Sequence, residues 1–97
     1  MLSDERIAEL TKILNWVYFV GVGYFMSDES FALGIEPSID YYEKYIFSSQ
    51  VIDTLLARMK PKAPFGWKLI FFMITNEGRI KITREEAEWL LDNRASY

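Results

Sequence analysis

Neither histidine nor cysteine occurs among the 97 residues, and these two absences remove more chemistry than any residue present supplies. A disulfide, a zinc finger, a Cys/His metal cage, a cysteine nucleophile and a Ser-His-Asp triad are all excluded. Acid–base work near neutral pH would fall to carboxylates, Lys or Tyr with strongly shifted pKa values. The missing cysteines fit a reducing compartment, so a cytoplasmic location is expected. Long apolar runs are also lacking. The longest, Trp16 to Met26, holds eleven residues and is interrupted by Gly21 and Gly23, whereas a membrane span needs about twenty. The opening Met-Leu-Ser-Asp-Glu-Arg is acidic where a signal peptide needs a basic stretch and an apolar run. The expectation is a soluble chain with no membrane partner.

Glycine-rich phosphate loops are missing as well. Gly21-Val-Gly23 lacks the third glycine of a dinucleotide fingerprint, and no Walker motif is present. No cofactor is expected, and close backbone packing or a bulge explains these two glycines better.

Aromatic rings are plentiful, with three Trp, six Tyr and seven Phe. With 51% apolar and 26% charged residues the composition is that of a globular protein. Its length suits one domain spanning 1–97. The rings supply a real core, and some must lie at the surface or in an interface.

Charge is sorted along the chain. Residues 1–57 carry nine acids against three bases, while 58–84 carry seven bases against Glu77 alone. The last thirteen residues hold four acids and Arg94, and the whole chain carries −3. Charge order of this kind governs steering and partner choice rather than fold.

The local signals predict an α+β fold, with about three helices on a small antiparallel sheet. Ser3, Asp4 and Glu5 open a helix over about 4–15, with Ile7, Leu10 and Leu14 at helical spacing. Residues 16–25 read as a strand, with a helix as the alternative. A loop follows over 27–38, holding one helical turn that ends at Gly34. Ser38 caps a second helix over 39–60, whose stripe is Tyr42, Tyr45, Ile46, Ile52, Leu55, Leu56 and Met59. The clearest pattern is a hairpin over 67–82, turning at Thr75-Asn76-Glu77-Gly78. Thr83 and Glu86 then form a capping box for a last helix. Two strands make a marginal sheet, so a third strand from 16–25 or a second copy of the chain must complete it.

Four regions are candidates for function. Arg58, Lys60, Lys62 and Lys68 share an acid-free segment with Phe65 and Trp67, and Arg79, Lys81 and Arg84 could extend the patch. Cations and rings together suit either an acidic protein surface or the phosphates and bases of a nucleic acid. Tyr41, Tyr42 and Tyr45 crowd one region and suit an interface. Pro61-Lys-Ala-Pro64 has PxxP spacing, but so short a match arises by chance and a stiff helix-to-strand connection accounts for it. Asp28, Glu29, Asp40 and Glu43 lack the spacing of a calcium loop and read as a hydrated acidic face. The resulting expectation is a non-enzymatic protein-interaction module, self-associating as a homodimer and docking an acidic protein partner. A nucleic-acid-binding regulator using 58–68 and 79–84 is the alternative. Small size without catalytic groupings fits an accessory protein of a virus, phage or mobile element.

Overall fold

The computed structural model describes residues 1–34 and 44–94. Helix α1, Asp4–Ile13, starts where the Ser3 hydroxyl accepts a hydrogen bond from the Arg6 N–H, and a tight turn over Leu14–Trp16 ends it. Strand β1, Phe19–Phe25, follows directly, so the glycine-bearing aromatic stretch is extended, as its residue types favour. Helix α2 is a short turn, Asp28–Ala32, capped by Ser27. Strand β2 is Lys44–Ile46, and helix α3, Ile52–Met59, follows a tight turn at Ser49–Val51. Strands β3, Lys68–Thr75, and β4, Gly78–Ile82, form the expected hairpin, and α4 runs from Arg84–Asn93.

The protein is therefore α+β, with a four-stranded antiparallel sheet in the order β2-β1-β3-β4. Strand β1 is the third strand anticipated for 16–25, and it lies inside the sheet between β2 and β3. The sheet is completed within the chain and needs no second copy for that purpose.

The expected helix over 39–60 is corrected. Residues 44–46 form a strand, and only 52–59 are α-helical. Tyr45 and Ile46 fit helical spacing with Tyr42, but they also alternate, Tyr45 exposed and Ile46 buried. Ring and β-branched side chains favour that extended arrangement. Ser48 then accepts a hydrogen bond from the Gln50 N–H, so helical geometry begins only after it. The later stripe holds, with Ile52, Leu56 and Met59 buried. Ser38, Asp40, Tyr41, Tyr42 and Glu43 lie outside the described residues.

The hairpin–helix unit matches its sequence signals. Gly78 has φ 104°, beyond the reach of β-branched side chains. The Thr83 hydroxyl accepts from the Glu86 N–H at 3.1 Å, and the Glu86 carboxylate accepts from the Thr83 N–H at 2.8 Å. Gly21 matters for a different reason. A Cβ there would lie 2.6 Å from the Phe72 ring and 2.9 Å from the Lys44 carbonyl oxygen.

Gly21→Ala should therefore cost about 1–3 kcal/mol by overpacking the sheet. Gly78→Val should cost about 1–2 kcal/mol through backbone strain, although nothing crowds that position. Urea titrations of both variants check this, and a parental midpoint for either would refute its assignment.

Candidate functional site

Strand alternation gives the sheet two unlike faces. Val20, Val22, Tyr24, Ile46, Met73 and Ile82 point toward α1, α3 and α4, where they meet Leu10, Ile52, Leu56, Ala87 and Leu90. The buried Tyr24 hydroxyl donates to the Met59 carbonyl at 2.5 Å. The register places Phe19, Gly21, Phe25, Tyr45, Lys68, Phe72, Arg79 and Lys81 on the opposite face.

That second face combines rings with cations. Phe31 of α2 meets Phe25 edge-on at 5.0 Å and Phe72 at 6.0 Å. The Arg79 guanidinium lies 5.3, 5.4 and 5.8 Å from the Phe25, Phe31 and Phe72 ring centres. Lys81 and Lys68 both close on the Asp28 carboxylate, at 2.9 and 3.3 Å. Hydrogen bonds from Lys81 and then Lys68 hold the Asp28 carboxyl below its ordinary range. Phe19 and Tyr45 stack at 4.6 Å with their planes 13° apart.

The expected basic band is thus divided. Lys68, Arg79 and Lys81 share the second face, while Arg58 closes α3 and Lys60 and Lys62 lie in the tight turn after it. Trp67 packs against the helix-side core, and Phe65 is fully exposed. Arg84 is set apart by Asp53 at 2.6 Å and Glu88 at 2.8 Å. Asp28, grouped with other acids in the sequence, instead joins the two lysines. Among the described residues no acidic cluster is arranged to hold a metal ion.

A second feature lies at the β2–α3 corner. Phe47 is 77% exposed, and beside it a hollow of about 440 Å³ is lined by Tyr45, Phe47, Val51, Leu55 and Arg58, among others. Phe47 and Val51 were not anticipated as surface residues, because the single long helix hid the alternation of Tyr45, Ile46 and Phe47. Phe19 was missed as well; its outward position follows only from the β1 register. A smaller hollow of about 280 Å³ lies by the hairpin turn, between Ile13 and Trp16 on one side and Ile80 on the other.

Comparison with family models, curated proteins and solved structures finds no match for this chain.

One buried charge ties the scaffold together. The Glu86 carboxylate, besides capping α4, accepts a hydrogen bond from Arg6 of α1. Burial raises the Glu86 pKa, but the Thr83 N–H and Arg6 outweigh it and hold the group below its ordinary value of 4.5. The folded state therefore binds this proton less readily than the unfolded chain. The resulting stability is complete above pH 4.5 and is lost as pH falls through the folded value. Glu86→Gln should flatten that part of the acid limb in urea titrations across pH 2–6. An unchanged limb would refute the assignment.

Proposed function

We propose that this chain is a non-enzymatic protein-interaction module that self-associates through the β2–α3 corner and presents its basic sheet face to an acidic partner. The observation that carries this reading is the neighbouring placement of the Phe47 ring and the apolar hollow. A two-fold interface uses one self-complementary patch twice, and a patch that holds both a projection and a recess meets that condition. Phe47 of one copy can enter the hollow of the other while the second copy does the same. Exposed contiguous apolar surface of this kind marks interfaces more often than bare solvent contact, and Tyr and Phe suit such sites.

A second reading has its own support. The partly exposed Phe19–Tyr45 stack lies on the same sheet face as Lys68 and Lys81, and single-stranded nucleic acids use such rings and cations for base stacking and phosphate contact. The 14 acids oppose a long polyanion.

Light scattering at micromolar concentration should give twice the 11.4 kDa chain mass, and Phe47→Asp should return the protein to monomer with unchanged circular dichroism. A parent that stays monomeric at every concentration refutes self-association. Fluorescence anisotropy with a labelled single-stranded oligonucleotide should show no binding at physiological salt. Binding whose log affinity falls with log salt, by about 0.7 per phosphate contact, would install the nucleic-acid reading instead.

A further inference from the structure

We infer that the hollow beside the hairpin turn is a binding site for an arginine side chain presented by another protein. Its lining joins apolar walls to polar groups the fold leaves unused. Ile13, at the end of α1, and the 57%-exposed Trp16 face Ile80 of β4 across a space of about 280 Å³. Thr75, Asn76 and Glu77 complete the lining. Thr75 ends β3 two residues beyond Met73, so its side chain lies on the helix side with Ile80. It is 8% exposed. Its hydroxyl oxygen accepts from the Glu77 N–H at 3.1 Å and, among the described residues, forms no other hydrogen bond. A buried hydroxyl ordinarily uses more of its capacity. This one keeps a proton and a lone pair for a guest in the hollow.

Charge and shape identify the guest. Glu77 is the one charged residue among those lining the hollow, and its carboxylate forms no ion pair among the described residues. Residues 35–43 and 95–97 contain no Lys or Arg, so their side chains bring no base to offset it. Arg79 and Lys81 flank Ile80, but they lie on the opposite face of β4, over the ring cluster and against Asp28. Apolar walls with one free carboxylate select a cation on an apolar stem. A guanidinium fits better than an ammonium. It is planar and weakly hydrated, so it stacks on the Trp16 ring and leaves water at lower cost. Its N–H groups suit the Glu77 carboxylate, the Asn76 side-chain oxygen and the remaining Thr75 lone pair. The main-chain carbonyls of the segment supply an acceptor for the Thr75 proton. A single side chain is the right scale, since sites for whole small molecules run upward from about 300 Å³. No lining residue is positive, so nothing there would hold the carboxylate of free arginine. The arginine is therefore one within a chain.

The test follows amide and indole NMR resonances of the full chain during titration with the capped peptide Gly-Arg-Gly. Three controls accompany it: Gly-Lys-Gly, the same peptide with uncharged, planar citrulline for arginine, and free arginine. The arginine peptide should give saturable shifts at the Trp16 indole N–H and at the amides of Ile13, Asn76 and Glu77. The lysine peptide and free arginine should bind more weakly. Citrulline should cost at least about tenfold in affinity, through loss of a charge-assisted hydrogen bond. Glu77→Gln should weaken the arginine peptide by about the same factor and leave the citrulline peptide unchanged. If that variant fails to fold, the citrulline comparison on the parent protein still decides. Absence of saturable shifts, equal binding of the citrulline peptide, an affinity indifferent to Glu77→Gln, or shifts centred on 44–58 would each overturn the inference. So would tighter binding of free arginine. The same resonances shifting when the protein alone is concentrated would put a second copy in the hollow and overturn the foreign partner.

Discussion

The pairing of β1 with β3, from Phe19 opposite Ile74 to Phe25 opposite Lys68, is the constraint on which the rest depends. Side-chain parity along those two strands assigns every core residue to a face. With Val20, Val22 and Tyr24 facing the helices, Gly21 and Gly23 must face away. Phe72 can then lie over the bare backbone of Gly21, and the rings of Phe25, Phe31 and Phe72 gather beneath Arg79. A slip of one residue would drive Val20 and Val22 into that ring cluster and turn Phe25 into the helix layer. The two unlike faces follow from one register, and so does the placement of the cations.

The helix layer joins local capping to long-range contacts, of which the one between Arg6 and Glu86 is the most buried. Glu86 closes the capping box of α4 and also receives Arg6, so the first and last helices are fixed together by a carboxylate that α4 needs in any case. The second face is held differently. Helix α2 is five residues long, too short to persist alone. It is held by Phe31 in the ring cluster and by Asp28 between two lysines. Those ion pairs are exposed, and exposed pairs contribute little; apolar contact through Phe31 carries most of that attachment.

Legibility from sequence followed the range of the interactions. The hairpin, its Gly78 turn, the Thr83–Glu86 box and the Ser3 cap were all readable, because each depends on residues within a few positions. Residues 44–46 were misread because Tyr42, Tyr45 and Ile46 satisfy helical spacing while Tyr45, Ile46 and Phe47 satisfy alternation. In so short a run, pairing with β1 decides, and that partner lies more than twenty residues away. The basic segment illustrates another limit. Trp67 and Lys68 are neighbours in sequence, but strand alternation sends one to the helix-side core and the other to the opposite face. A run of like charges along a chain becomes a surface only after the fold has sorted it.

The order of strands also separates the features of the sheet. The β2–α3 corner and the β4 edge lie at opposite margins, with β1 and β3 between them. Phe47 and Val51 line the hollow at the corner, whereas Lys68 and Lys81 meet Asp28 on the second face. The corner and the lysine pair therefore share no residue. A substitution at Phe47 tests the proposed self-association without touching the cations, because only the paired backbones of β1 and β3 join the two regions.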